Sequence, residues 1–237
     1  MKILVTGGLG FIGSHTVVEL QNAGFQVLIV DNLENSTIEV LDGITNITKV
    51  RPHFQKLDLR VKEEVKSYFK THNDIAGVIH FAANKAVGES VNEPLKYYEN
   101  NVNSLVYILQ ELCKLNHQNF IFSSSCTVYG QADTLPITEN APVKPAESPY
   151  GNTKQIGEEI IRDTCRVNDK LNSIALRYFN PIGAHPTTEI GELPIGVPQN
   201  LVPFITQTAI GMREQLSVFG GDYATPDGTC IRDYIHV

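Results

Sequence analysis

Tyr150 and Lys154 stand four residues apart in a segment that is predicted to be a helix over residues 150–167. Positions i and i+4 share one face of a helix, so the phenol and the ammonium can meet the same ligand. A free tyrosine titrates near ~10, and a neighbouring positive charge lowers that pKa by favouring the phenolate. We interpret Tyr150 as a general base; the alternative is a surface pair on a helix.

A run of three serines, Ser123-Ser124-Ser125, closes the strand predicted over residues 119–123. A serine hydroxyl can relay a proton or form a hydrogen bond with a substrate. The run comes before the helix of Tyr150 in the chain, and its position strengthens the interpretation of that tyrosine.

A glycine-rich turn, Gly7-Gly8-Leu9-Gly10-Phe11-Ile12-Gly13, separates the first predicted strand from the first helix. Glycines there permit a tight turn and let the backbone approach a pyrophosphate at the helix N-terminus. Asp31 ends the next strand eighteen residues after Gly13, near the spacing of a ribose-binding carboxylate. Such a carboxylate repels a 2′-phosphate, so the pattern favours NAD over NADP. The alternative is a structural turn and an ordinary surface aspartate.

The residues at two other strand ends each have two possible roles. Asp58 follows the third strand and could contact an adenine, or cap the helix that follows. Phe81-Ala82-Ala83 ends the fourth strand, where small residues would let the backbone lie along a dinucleotide or would simply pack closely.

Strands and helices alternate along the chain, which predicts an α/β fold with a doubly wound parallel sheet of the NAD-binding Rossmann type. The predicted strands cover residues 3–5, 27–30, 53–57, 77–81, 119–123 and 173–178. The predicted helices cover residues 11–23, 61–70, 95–116 and 150–167. Residues 32–51 are predicted to be an irregular insertion over the sheet edge.

After Asn180 the composition shifts to a proline-punctuated, loop-rich stretch. We therefore predict an NAD-binding domain over residues 1–180 and a partial substrate-binding domain over residues 181–237. Residues 232–237 are predicted to be a strand that nothing closes. We expect that a C-terminal remainder of the substrate domain is absent.

Composition narrows the range of partners. A net charge of -7 and a pI near 5.5 argue against nucleic-acid binding, and a phosphate-bearing ligand must be held by local groups. The four cysteines have no metal-ligand spacing, which predicts no metal, reduced thiols and a cytoplasmic location. No apolar stretch fits a signal peptide or a membrane span, so no membrane partner is expected.

Glycine turn, acid, serine run and Tyr-x-x-x-Lys together resemble the extended short-chain dehydrogenase/reductase family. Further segments resemble its UDP-sugar 4-epimerases, and the match is colinear over the whole chain. These segments are KAVGES (85–90), YYENNV (97–102), SSSCTVYG (123–130), RYFNP (177–181) and RDYIHV (232–237).

Together with the motifs above, the resemblance implies two sets of ligand contacts. The NAD contacts would be Gly7, Gly10, Phe11, Ile12, Gly13, Asp31, Asn32, Asp58, Leu59, Phe81, Ala82, Lys85, Asn100, Tyr150, Lys154 and Phe179. The UDP-sugar contacts would be Lys85, Ser125, Tyr150, Asn180, Asn200, Leu201, Phe219 and Arg232. Arg232 suits a diphosphate through forked hydrogen bonds, or it forms an ion pair with a neighbouring acid.

The implied reaction interconverts UDP-glucose and UDP-galactose at C4 through a 4-keto sugar. Tyr150 is the catalytic base, Lys154 is its partner, and Ser125 shares the substrate proton. A nicotinamide cation would add to Lys154 in lowering the pKa of Tyr150. NAD is regenerated and stays bound.

Other functions remain open on the sequence. Dehydratases and decarboxylases of nucleotide sugars carry acids where this chain has Cys126 and Thr127, so elimination lacks its proton donor. A plain dehydrogenase would release NADH, and a chain this short could be an NAD-binding fragment with weak or no turnover. The resemblance also implies a homodimer through the helices beginning at Leu95 and Tyr150, although their apolar stripes could equally face the sheet.

Overall fold

The computed structural model describes residues 1–218 and 220–237. Its centre is a six-stranded parallel sheet in the order β3-β2-β1-β4-β5-β6. The strands are β1 (Lys2–Thr6), β2 (Gln26–Asp31), β3 (His53–Lys56), β4 (Ile75–His80), β5 (Gln118–Ser123) and β6 (Leu171–Leu176). The predicted doubly wound parallel sheet is confirmed.

Seven helices lie within the described residues. They are α1 (Phe11–Asn22), α2 (Val40–Thr48), α3 (Lys62–Thr71), α4 (Val87–Asn92), α5 (Pro94–Leu112), α6 (Pro149–Val167) and α7 (Leu201–Ala209), with a 3₁₀ turn at Cys126–Tyr129. None of these helices is both long enough and apolar enough to cross a membrane.

Helices on both faces of the sheet bury its strands. One apolar core joins the sheet to α3, α5 and α6, and a second joins it to α1 and α2. Every residue of β4 is buried, which explains why its sequence is apolar without alternation as far as His80.

The helices of residues 11–23, 61–70 and 150–167 were predicted to within one residue at each end, but α5 is shorter than predicted. It begins at Pro94, where a proline fits the first turn, and ends at Leu112 instead of residue 116. The Gln118 side chain donates Nε2–H bonds to the Cys113 and Leu115 carbonyls, at 3.0 and 2.9 Å. These bonds satisfy carbonyls at the end of the helix and favour the turn into β5.

The prediction of an irregular segment over residues 32–51 was wrong for its second half, which forms α2. This helix contains a glycine and several β-branched residues, so its intrinsic propensity is low. Leu41 and Ile44 are buried against the core beside Ile190, and Lys49 ends the helix at a positive φ of 62°. Long-range packing therefore stabilises a helix that its local sequence does not predict.

Two short strands follow residue 180: β7 (Asn180–Ile182) and β8 (Tyr234–His236). They pair in parallel, with Asn180 opposite Tyr234. The strand expected near the last residues is therefore present, and it pairs with β7, contrary to the expectation that nothing closes it. The domain boundary at residue 180 stays a prediction.

The packing of α5 yields a stability prediction. Leu105 is completely buried in the core, whereas Leu95 on the same helix is 80% exposed. We expect Leu105→Ala to lower the free energy of unfolding by about 2–5 kcal/mol, because it removes apolar contacts and leaves a cavity. Leu95→Ala should change it by less than about 0.5 kcal/mol. Urea denaturation of both variants measures the difference, and equal losses would contradict the packing described.

Candidate active site

The glycine turn after β1 packs directly on the end of β4. Gly7 has a φ of +65°, and a Cβ there would lie 2.8 Å from the Ala82 nitrogen. A Cβ at Gly13 would overlap the Gly7 carbonyl oxygen. Close packing therefore requires glycine at both positions and explains the small residue Ala82, one of the two interpretations of that strand end.

The N-terminus of α1 lies at this turn. Ser14 N–H donates the first helical bond, to the Gly10 carbonyl at 2.9 Å, so the N–H groups of Phe11, Ile12 and Gly13 have no partner in the helix. Gly10 occupies the N-cap without a side chain that could cover them. Free N–H groups and the positive end of the helix dipole suit the pyrophosphate of a dinucleotide.

Asp31, at the end of β2, is buried beside the turn and is not a surface aspartate. Its carboxylate accepts hydrogen bonds from Leu9 N–H at 3.2 Å, Leu33 N–H at 3.0 Å and the Ser36 hydroxyl at 2.8 Å. Asp31 therefore fixes the glycine turn and the loop after β2 relative to each other.

Asp58 does not cap α3, because the N-cap of that helix is Val61. The Asp58 carboxylate instead binds Arg60, with Nη2–Oδ2 at 2.6 Å and Nε 3.0 Å from both oxygens. These bonds lower the pKa of Asp58. The neighbouring cavity of about 350 Å³ is lined by both side chains and by Asn32. Leu59 is buried in the core.

Tyr150 and Lys154 lie in the first turns of α6. The Ser148 hydroxyl caps this helix by accepting from Gly151 N–H at 3.1 Å, and Pro149 occupies the first turn. The Lys154 Nζ lies 5.6 Å from the centre of the Tyr150 ring. It donates to the Ser123 carbonyl at 2.7 Å, so the two predicted catalytic groups share a face without bonding to each other.

Burial moves both of these groups toward their neutral forms. It lowers the pKa of Lys154 to about 8. Although Tyr150 as a whole residue is partly exposed, burial of the phenol raises its pKa, the nearby Tyr178 adds to the rise, and the Ser125 hydroxyl opposes it. The expectation that Lys154 lowers the pKa of Tyr150 is therefore wrong for the chain's own groups: desolvation is the largest cause of the raised pKa, and Lys154 is not among the groups that shift it.

The three serines after β5 make different contacts. The Ser123 carbonyl accepts from Lys154, and its hydroxyl is hydrogen-bonded to the Tyr178 hydroxyl. Ser124 donates to Glu158 at 2.5 Å. The Ser125 hydroxyl accepts from Thr127 N–H at 3.2 Å and so caps the 3₁₀ turn that begins at Cys126.

Glu158 was missed from the sequence although it lies on the face of α6 that carries Tyr150 and Lys154. Its carboxylate is held by Arg177 through a fork, with Nε–Oε1 at 2.9 Å and Nη2–Oε2 at 2.5 Å. The Arg177 guanidinium also lies 4.9 Å from the centre of the Tyr129 ring. Spacing of i, i+4 and i+8 from Tyr150 was the signal that could have identified Glu158.

Asn101 is a second residue that sequence reasoning missed. It is buried, and its side-chain amide binds both the N–H and the carbonyl of Asn84, at 2.8 and 2.9 Å. It also donates to the Thr153 hydroxyl at 3.1 Å and accepts from the Asn100 amide at 2.9 Å. Asn101 thus fixes the loop after β4, which carries Lys85, to α5 and α6.

The predicted substrate residues lie on separate segments of the chain. Asn180 donates Nδ2–H to the Asp233 carbonyl at 2.8 Å, which holds β7 beside β8. Arg232 is exposed, lies close enough to Cys126 to affect its pKa, and pairs with no acid among the described side chains. Lys85 and Asn200 both bind Glu192.

Leu201, Phe179 and Phe219 are the other predicted ligand contacts in the second half of the chain. Leu201 is the first residue of α7 and is 49% exposed. Phe179 lines a cavity of about 460 Å³ together with Arg177. Phe219 lies outside the described residues. In residues 1–218 and 220–237, no three His, Cys, Asp or Glu side chains are arranged to hold a metal ion.

The ion pair between buried Glu158 and partly buried Arg177 predicts a large loss of stability in Glu158→Gln. Removing one charge leaves the other without its partner, which we expect to cost about 3 kcal/mol in urea denaturation. Glu159→Gln changes an exposed neighbour on the same helix and should cost less than about 0.5 kcal/mol. Similar losses in the two variants would show that the pair does not anchor α6.

The lowered pKa of Lys154 predicts how stability depends on pH. Between about 8 and the ordinary value of 10.5, the unfolded chain keeps a proton that the folded chain has lost. Stability should therefore rise with pH in this window, by at most about 3 kcal/mol. Lys154→Met removes the effect, so we expect the parent to gain stability relative to this variant as the pH rises. Parallel pH profiles of unfolding would contradict the burial of the ammonium.

Comparison with known proteins matches residues 3–237 to the family described as NAD dependent epimerase/dehydratase family. UDP-glucose 4-epimerase of Bacillus subtilis is 51% identical over 237 residues, which are all of this chain and 69% of that protein. UDP-glucose 4-epimerase of Dictyostelium discoideum is 50% identical over 236 residues, 100% of this chain and 68% of that protein.

Solved structures agree with these relatives. UDP-glucose 4-epimerase from Bifidobacterium longum, in complex with NAD+ and UDP, superposes with a TM-score of 0.96 at 44% identity. The match covers 100% of this chain and 70% of that one. The strand order, the glycine turn and the colinear match thus lead to one conclusion: the chain belongs to the NAD dependent epimerase/dehydratase family.

Proposed function

We propose that this chain is an NAD-dependent isomerase that interconverts UDP-glucose and UDP-galactose at C4. The observation that carries the proposal is the shared face of Tyr150 and Lys154 on α6, next to the serine run and on the strand edge that carries the glycine turn. The similarity to UDP-glucose 4-epimerases over the whole chain supports the choice of substrate.

The residues at the glycine turn fit NAD. A pyrophosphate would be held by the N–H groups of Phe11, Ile12 and Gly13. A Cβ at Gly7 would collide with Ala82, and a Cβ at Gly13 would collide with the Gly7 carbonyl, so both positions require glycine. Asp31 would meet a ribose hydroxyl at the end of β2. When bound, NAD supplies reversible two-electron redox chemistry at the sugar carbinol.

In this proposal Tyr150 takes and returns the proton of the sugar 4-hydroxyl. Since burial raises its pKa, the phenol needs a nearby positive charge to become a base. With a pKa of about 8, Lys154 carries such a charge at neutral pH and is held by the Ser123 carbonyl. Ser125, whose hydroxyl opposes the rise in the pKa of Tyr150, would share the substrate proton.

The residues beside the serine run favour epimerisation over elimination of water. Cys126 and Thr127 follow Ser125 in the 3₁₀ turn, and neither is a carboxylic acid. The nearby carboxylate of Glu158 is occupied by Arg177 and Ser124, so it is not free to donate a proton to a leaving hydroxyl.

We also propose a homodimer and a cytoplasmic location. Because the apolar stripe of α5 is buried in the core, the dimer proposal depends on exposed residues of this region, such as Leu95. The cytoplasmic proposal is supported by four cysteines that are all free thiols.

The decisive experiment measures conversion of UDP-galactose to UDP-glucose by the purified chain. We expect turnover without net production of NADH, and we expect Tyr150→Phe to lower kcat by about 10²–10⁴-fold while retaining NAD. Tyr107→Phe is the matched control, because that ring lies against Lys62 of α3. Unchanged turnover in Tyr150→Phe, or stoichiometric NADH release by the parent, would refute the proposal.

A further inference from the structure

A loop glutamate outside the predicted site joins two residues that were assigned to the UDP-sugar. Only 11% of the Glu192 side chain is exposed, although its neighbour Leu193 is 75% exposed. Its Oε1 accepts from Lys85 Nζ at 3.3 Å and from the Asn200 amide. One carboxylate oxygen thus connects the loop after β4 with the start of α7.

The hydrogen bond from Asn200 to Glu192 replaces a bond that the Asn200 side chain could make with its own helix, α7. It is the N-cap residue of α7, a position where asparagine is among the best capping residues. Nevertheless, within the described part of the chain its side chain makes no cap hydrogen bond. Its amide is turned toward Glu192 instead.

The chemistry of a carboxylate fixes the orientation of that amide. A carboxylate only accepts hydrogen bonds, so Asn200 must direct its NH₂ group toward Glu192. The Oδ1 of Asn200 is then left to accept a hydrogen bond from a ligand. Lys85, whose side chain is 59% exposed, gains a fixed partner for an ammonium that would otherwise sample many rotamers.

We infer that Glu192 is a positioning residue for the UDP-sugar. It acts through Lys85 and Asn200, holding the ammonium and the amide in the orientation in which they meet the ligand. The inference rests on the proposed function, because it takes both residues to be substrate contacts. It assigns Glu192 no contact with the reacting atoms.

Removal of the Glu192 carboxylate should affect substrate affinity and not the stability of the fold. Without the carboxylate, Asn200 is free to cap α7, and this compensates the helix for the lost contact. Lys85 regains its mobility. Substrate affinity should therefore fall while the thermal midpoint is maintained.

The test compares Glu192→Ala and Glu192→Gln with Glu189→Gln. Glu189 is exposed in the same loop, and its carboxylate accepts from Asn46 at 3.0 Å. We expect Glu192→Ala to raise the Kd for UDP, by calorimetric titration, and the KM for UDP-galactose about tenfold, or ~1.4 kcal/mol. The Kd and KM of Glu192→Gln should lie between those of the parent and of Glu192→Ala, since glutamine keeps an acceptor oxygen without the charge. In all three variants kcat should stay within about twofold, with NAD content and Tm unchanged.

Each outcome decides the inference. A Kd for UDP that stays within about twofold in Glu192→Ala overturns it, and so does an equal rise in Glu189→Gln. A loss of Tm in parallel with affinity also overturns it, because Glu192 would then be structural. If the parent binds UDP but converts no UDP-galactose, the proposed function fails and the Kd still tests Glu192. A parent that binds no UDP overturns both.

Discussion

The approach of one backbone to another at the glycine turn is the constraint on which the rest of the site depends. Gly7 packs on the backbone of Ala82, and Gly13 packs on Gly7 itself. No side chain fits between them, so the end of β1, the start of α1 and the end of β4 lie in van der Waals contact. Because the strands are parallel, the serine run and Asp31 end at this same edge.

Buried polar contacts then position the groups that this edge exposes. Lys154 donates to a serine carbonyl, Asn101 binds both backbone groups of Asn84, and Glu158 holds Arg177. In a site of low dielectric constant, such bonds are costly to break, because each would leave a buried polar group unsatisfied. The side chains are therefore held by contacts from several elements, and α6 carries a member of most of them.

The sequence predicted the features that are encoded locally. Gly7 and Gly13 require a tight turn, and Gly24, with its positive φ of +83°, follows the C-terminus of α1. The order of strands and helices fixes a parallel sheet through general rules of chain connection. By contrast, α2 and the exact end of α5 depend on contacts with residues far along the chain, such as Ile190 and Gln118. No local pattern contains that information.

The electrostatics of the site were the least predictable part. From spacing alone, Lys154 should lower the pKa of Tyr150, but spacing does not report how deeply the two groups are buried. The ammonium is directed at the Ser123 carbonyl, and burial dominates for both groups. Glu158 could have been found from its helical spacing, whereas its partner Arg177 directly follows β6 and is joined to it only by the fold.

Local charge must also overcome the charge of the whole chain. A net charge of -7 repels a UDP-sugar at long range, and salt screens that repulsion beyond about 10 Å. At short range the balance depends on individual cations. Arg232 pairs with no described acid, whereas Lys85 is held by Glu192. In our proposal the diphosphate would meet Arg232, which pairs with no described acid, and Lys85, which is already paired, so affinity would depend on how Lys85 divides its contacts between Glu192 and the ligand.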